Sequence, residues 1–175
     1  SILLPIVNSG CIWIQENKKT FDEHLVAIAN NANLDYVKLT PSHISALKSL
    51  SIDKFLPNNV ILGGEALTSS LVKFLESINP NINIYNEYGP TEATVGCVVT
   101  KVTSKDKIVP IGVPIDNTSI YVVNDKKNLL SEYCIGQLII SGASLSGGYI
   151  NSQLNTSFNE ADKVIPSRHY YTGDI

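Results

Sequence analysis

From Thr20 to Asn86 the sequence alternates short β-prone runs with helix-length stretches, and this alternation limits the possible folds more than any other feature. Thr20 and Glu23, three residues apart, form a capping box ahead of Phe21, Leu25, Ile28 and Ala29, so a helix is expected from about Phe21 to Ala32. Tyr36 to Leu39 reads as a strand. Thr40-Pro41 then supplies an N-cap and a proline in the first helical turn, with Ile44, Leu47 and Leu50 on one face. The unit repeats. Asn59 to Leu62 is a strand, Gly63-Gly64 a tight turn, Leu71, Val72, Leu75 and Ile78 mark a helix, and Asn81 to Asn86 is the next strand. The spacing predicts an α/β fold, a parallel sheet flanked by helices. In such sheets ligands bind outside the carboxyl ends of the strands, which points to Leu39-Thr40-Pro41, Gly63-Gly64-Glu65 and Glu87-Tyr88-Gly89.

Before this region lie an apolar run, Leu3 to Val7, and a second, Cys11-Ile12-Trp13-Ile14, that suits a buried strand. After Gly96 the strands follow without helices between them: Cys97 to Val102, Ser119 to Val123 and Gln137 to Ser141. This half is expected to form a small antiparallel, β-barrel-like subdomain. The boundary falls near Val109-Pro110, giving units 1–109 and 110–175.

Lys and Arg number 13 against 16 Asp and Glu, with no basic run, so nucleic acid is not an expected partner. No apolar run approaches the roughly 20 residues of a membrane span. No leader pattern opens the chain, and the expected setting is the reducing cytoplasm. Cys11, Cys97 and Cys134 are odd in number and lack Cys-x-x-Cys spacing, so buried thiols are expected. His24, His43 and His169, the last in a loop by its surroundings, have no metal-site spacing and are expected to be structural. Asn117-Thr118-Ser119 and Asn155-Thr156-Ser157 match a glycosylation pattern that a cytoplasmic chain does not use.

The densest group of functional side chains is Asn86-Glu87-Tyr88-Gly89-Pro90-Thr91-Glu92-Ala93-Thr94. A strand end, a Gly-Pro turn, then a hydroxyl and a carboxylate can place a donor on a phosphate oxygen and an oxygen ligand on Mg²⁺. A surface turn with Thr91 capping a helix fits the same residues. Three further segments narrow the choice: Gly63-Gly64-Glu65-Ala66-Leu67, then Gly136 to Gly142 running on to Gly148-Tyr149, and Tyr170-Tyr171-Thr172-Gly173-Asp174. With Pro110-Ile111-Gly112 and Pro114 to Thr118, their order and spacing resemble the central part of an amino-acid adenylation domain of a nonribosomal peptide synthetase. That family lies within the superfamily of acyl-CoA synthetases and luciferases. The resemblance covers nearly the whole chain.

The resemblance implies a role for each matched residue. Gly64, Glu65 and Ala66 line the adenine, Tyr88 stacks on it, and Asn86 and Glu87 present groups to its edge. Thr91 bonds the α-phosphate, Glu92 holds Mg²⁺, and Asp174 accepts both ribose hydroxyls. The implied reaction is attack of an amino-acid carboxylate on ATP, giving an aminoacyl adenylate and pyrophosphate. The adenylate then passes to phosphopantetheine on a carrier domain, within a synthetase that also has condensation domains. Gln137, Ser144, Ser146, Gly147 and Tyr171 depart from the family's usual Glu, Gly, Ala, Arg and Lys or Arg. The family carries a phosphate loop, and the Asp that binds the substrate amino group, upstream of these segments. It also carries a C-terminal domain with an essential Lys. The 175 residues are therefore expected to be a piece of a longer synthetase, without turnover by themselves.

At the family's pocket offsets stand Lys38, Ile61, Gly63, Glu87, Val95 and Gly96. Lys38 and Glu87 either pair with each other or bind the two ends of a carboxamide, whose oxygen accepts and whose NH₂ donates. The set also resembles the pocket of asparagine-activating members, so L-asparagine is the expected substrate. An acyl- or aryl-CoA ligase would want apolar pocket walls. A non-catalytic nucleotide-binding module is the remaining alternative.

Overall fold

The computed structural model describes Pro5, residues 7–14 and residues 20–175. Leu3, Leu4 and Ile6 of the first apolar run lie outside the described residues.

Three strand–helix units come first: α1 (Phe21–Ala29), β1 (Val37–Leu39), α2 (Pro41–Ser49), β2 (Asn59–Gly63), α3 (Ser69–Ile78) and β3 (Asn83–Tyr88). The capping box of Thr20 and Glu23 is formed, and α1 stops at Ala29 because the Asn30 amide caps the Val26 carbonyl at 2.9 Å. In α2 the box is closed by His43, whose Nδ1 accepts the Thr40 N–H at 2.9 Å. β4 (Val98–Val102) and β5 (Val113–Pro114) complete a sheet of order β1-β2-β3-β4-β5.

β1, β2 and β3 run parallel, whereas β4 is antiparallel to β3 and β5 to β4, so the sheet is mixed and not purely parallel. Residues 89–97 are too few for the helical crossover that a parallel return needs. All three helices pack in one core with Val37, Leu39, Val60, Leu62, Ile84 and Val102 of the sheet. Alternation along the strands therefore assigns Lys38, Ile61, Gly63, Tyr85 and Glu87 to the face opposite the helices.

The second sheet holds β6 (Thr118–Val123), β7 (Gln137–Gly142), β8 (Phe158–Asn159) and β9 (His169–Tyr171), in the order β6-β7-β9-β8 and antiparallel throughout. It is open, and no closed barrel forms among the described residues. Ala93 and Cys97 of the turn after β3, with Val98 of β4, bury against Ile140 of the second sheet, with Tyr88, Ile120 and Leu145 around them. This shared cluster fixes the two sheets on either side of the turn at 89–97.

Three local expectations are corrected. Cys11 to Ile14 is exposed and forms no strand, because a buried strand needs a neighbour and none of the described strands pairs with it. Of the three thiols only Cys97 is buried, and burial pushes its pKa up. Cys11 and Cys134 lie in exposed connections. His169 is a buried strand residue rather than a loop residue, with Nδ1 3.0 Å from the Ser167 carbonyl. Among the described residues no helix is long and apolar enough to cross a membrane.

Leu62, fully buried between the sheet and the helices, should lose about 2–5 kcal/mol of unfolding free energy as Leu62→Ala in the complete protein. Leu50, 37% exposed at the end of α2, should lose less than about 1 kcal/mol as Leu50→Ala. Denaturant titration measures both.

Candidate functional site

Parallel pairing sets the carboxyl ends of β2 and β3 side by side, with Gly63 opposite Glu87. The turns that leave them, Gly64 to Ala66 and Gly89 to Gly96, therefore start next to each other. Gly64 takes φ +82° and is exposed, with open space where a Cβ would stand. Glu65 turns away from β3 toward the start of α2, where Oε2 accepts from the Ser42 N–H at 3.0 Å and its hydroxyl at 2.5 Å. These bonds, the hydroxyl first, hold the Glu65 carboxyl below the usual range. Ala66 is exposed beside it.

Glu87 and Lys38 form an ion pair across β2, Lys38 with 37% of its side chain exposed and Glu87 with 17%. The buried Oε2 of Glu87 has no other partner among the described residues. With one partner this accessible, the pair is worth on the order of 1 kcal/mol or less. Two glycines make room for the carboxylate. A Cβ on Gly96 would lie 2.3 Å from Glu87 Oε1, and one on Gly63 would lie 3.2 Å from Oε2. Ile61, half-buried, is the register partner of Lys38. Lys38, Ile61, Gly63, Glu87 and Gly96 thus converge.

Val95 precedes Gly96 in a strained turn. The one-turn 3₁₀ helix Thr91–Ala93 ends in two left-handed residues, Thr94 at φ +59° and Val95 at φ +67°. For β-branched Val95 this conformation costs on the order of 1–3 kcal/mol. Val95 N–H to the Pro90 carbonyl at 3.1 Å, and Gly96 N–H to that of Thr94 at 2.8 Å, hold the turn. Thr91 does not cap a helix: the N-cap position is Pro90, and the exposed Thr91 hydroxyl has no partner among the described residues.

Glu92 is gripped from the second sheet. The Ser146 N–H donates to its carbonyl at 2.7 Å, and the Tyr149 hydroxyl donates to its Oε1. The Tyr149 bond is the largest influence holding the Glu92 carboxyl below the usual range, and the Tyr170 hydroxyl adds to it. Whatever stability this ionised form contributes is present above the unfolded-state pKa and is lost as pH falls through the lower folded value.

Tyr88 and Asp174 also meet, although 86 positions separate them: the phenol donates to Asp174 Oδ2. Burial first, and this bond second, push the Tyr88 pKa up. Asn86 is buried, and its amide donates to the Pro110 carbonyl at 2.8 Å.

Most of the matched residues fall into two groups: Ile61, Gly63 and Gly96 lie around the Lys38–Glu87 pair, with Val95 next to Gly96 in the chain, and Tyr88, Thr91, Glu92 and Asp174 lie where the two sheets meet. Gly64, Glu65 and Ala66 stand in an exposed turn outside both groups, and Asn86 is buried with its amide committed to Pro110. Sequence reasoning assigned no role to Ser42, Ser146, Tyr149, Arg168 or Tyr170. The signals were that Tyr149 and Tyr170 fall within the matched segments and that Ser146 departs from the family's pattern. Among the described residues no group of three or more His, Cys, Asp or Glu could enclose a metal. One ionised carboxylate beside a free hydroxyl suits a hard cation that keeps waters and substrate phosphates as its other ligands, so the residues present fit Mg²⁺.

Residues 1–150 match the family model described as AMP-binding enzyme. The chain belongs to the AMP-binding enzymes. It is 31% identical over its full length to bacitracin synthase 3 of Bacillus licheniformis, and 29% identical over its full length to tyrocidine synthase 3 of Brevibacillus parabrevis. It spans only 3% of the length of each of these relatives. Among solved structures it resembles a nonribosomal peptide synthetase protein containing adenylation and PCP domains, at 25% identity and TM-score 0.83. That match covers 96% of this chain and 36% of the other. It also resembles a four-domain nonribosomal peptide synthetase bound to AMP and glycine, at 27% identity and TM-score 0.77, over 87% of this chain and 12% of that one. The resemblance to nonribosomal peptide synthetase adenylation domains, and the α/β-plus-antiparallel architecture, hold in this AMP-binding chain.

In this AMP-binding chain Gly96→Ala should cost about 1–3 kcal/mol of stability, because the new methyl displaces the Glu87 carboxylate. In a Glu87→Ala background the same change should cost less than about 0.5 kcal/mol. A double-mutant cycle by thermal unfolding of the complete protein separates the two.

Proposed function

We propose that the complete protein carrying this chain activates L-asparagine, forming asparaginyl-AMP and pyrophosphate for nonribosomal peptide synthesis in the cytoplasm. The observation that carries the substrate is the Lys38–Glu87 pair beside Gly63 and Gly96. Without substrate, ammonium and carboxylate satisfy each other. A carboxamide entering between them gives its oxygen to Lys38 and its NH₂ to Glu87, so both charges stay hydrogen-bonded. Aspartate sets a second carboxylate against Glu87, a like-charge contact. Ile61 and Val95 supply the apolar walls around the substrate's methylene.

The nucleotide lies between the two groups of residues. Gly64, Glu65, Ala66 and Asn86 border the adenine and Tyr88 stacks on it. Asp174, already a hydrogen-bond acceptor for the Tyr88 hydroxyl, takes the ribose hydroxyls. Thr91, whose hydroxyl is free, donates to the α-phosphate, and Glu92 holds Mg²⁺. The cation supplies charge neutralisation at the phosphates. The chain's own residues position the reactants, which is where most of the rate advantage in this kind of transfer comes from. The phosphate loop, the essential lysine, the carrier domain with its phosphopantetheine and the condensation domains belong, on this reading, to the rest of the synthetase.

Pyrophosphate exchange on the complete protein with all twenty amino acids tests the assignment, and asparagine should dominate. Lys38→Met should lower asparagine-dependent exchange about tenfold or more, by stranding the Glu87 carboxylate. Glu87→Gln should narrow the preference for asparagine over aspartate by about tenfold. Faster exchange with aspartate in the unaltered protein would refute the role given to Glu87.

A further inference from the structure

We propose that Tyr149 is a positioning residue for Glu92: the turn from Gly142 to Tyr149 in the second sheet holds the Glu92 carboxylate in the orientation that accepts the divalent cation. The inference rests on the reading of Glu92 as the cation's carboxylate ligand. It goes beyond that reading because it gives a role to a residue of the other sheet.

The same turn grips residue 92 twice, at the main chain through the Ser146 N–H and at the carboxylate through the Tyr149 hydroxyl. A surface contact of convenience needs neither bond to be supported from behind, and here both are. Arg168, the single arginine of the sequence, donates to the Ser146 carbonyl at 2.7 Å. Its guanidinium lies 4.7 Å over the Phe158 ring. The Tyr149 ring stands edge-on to that same Phe158 at 5.9 Å, and its N–H is held by Asn155 Oδ1 at 2.7 Å. Phe158 in turn packs on Tyr170 at 4.8 Å.

Tyr149 therefore reaches Glu92 from a ring fixed on β8 and β9, even though the residue is 38% exposed. A carboxylate offers about four lone-pair sites. The phenol bond to Oε1, with the Tyr170 hydroxyl beside it, restrains the group from the side of the second sheet and leaves its remaining lone-pair sites for a cation.

The test is Mn²⁺ binding to the complete protein, followed by electron paramagnetic resonance with α,β-methylene-ATP saturating. Tyr149→Phe keeps the ring against Phe158 and removes only the donor. It should weaken Mn²⁺ binding about 10- to 100-fold, as loss of a ligand-orienting partner does. Binding of the analogue in EDTA and the thermal midpoint should stay at wild-type values. Arg168→Gln loosens the turn from the other side and should shift Mn²⁺ affinity in the same direction, and it decides the matter if Tyr149→Phe fails to fold. Glu92→Gln should lose at least as much as either. If Tyr149→Phe binds Mn²⁺ as tightly as wild type while Glu92→Gln does not, the positioning role is wrong and the reading of Glu92 stands. If Glu92→Gln also binds as wild type, both are wrong.

Discussion

Strand β3 is hydrogen-bonded in parallel to β2 on one side and antiparallel to β4 on the other, and the chain reverses direction at its end within residues 89–97. Almost everything of chemical interest follows from that reversal. Parallel pairing brings the β2 exit next to the β3 exit, and antiparallel pairing forces a compact turn in place of a crossover helix. A compact turn that must also present Thr91, Glu92 and Val95 has little freedom, and two consecutive left-handed residues absorb the excess. The strain is tolerable because Ala93 and Cys97, on either side, are anchored in the cluster that joins the two sheets.

The second sheet is more than a lid over this turn. Tyr88 and Asp174 bond across the junction, and so do Glu92 and Tyr149, each pair joining an acid to a phenol. Phenol donors favour the ionised carboxylate without adding a positive charge. Among the described residues the ammonium paired with a matched acid is that of Lys38, committed to Glu87 on the face opposite the helices.

The helices and the first three strands were legible because amphipathic spacing, capping residues and strand-helix alternation all agree over residues 20–88. The sense of β4 was legible in principle from the short connection, but strand periodicity by itself carries no direction. Cys11 to Ile14 misled because an apolar run of that length says nothing about whether a neighbouring strand exists. The candidate site was legible only as a set of motifs. The pairing of Lys38 with Glu87 was one of two readings open in the sequence and is formed, whereas the turn of Glu65 to Ser42 depends on side chains brought together from separate elements. Arg168 and Tyr149 were invisible as partners because 22 and 57 positions separate them from Ser146 and Glu92.

The fit of Gly63 and Gly96 around the Glu87 carboxylate also bears on how such a pocket changes over evolutionary time. While Glu87 is present, a side chain at Gly96 requires the carboxylate to move aside, so substitutions there are better tolerated after position 87 has shortened. Once Glu87 is replaced, Lys38 is left without the carboxylate it pairs with. Mutational history in this pocket has a preferred order, set by the volume of one carboxylate.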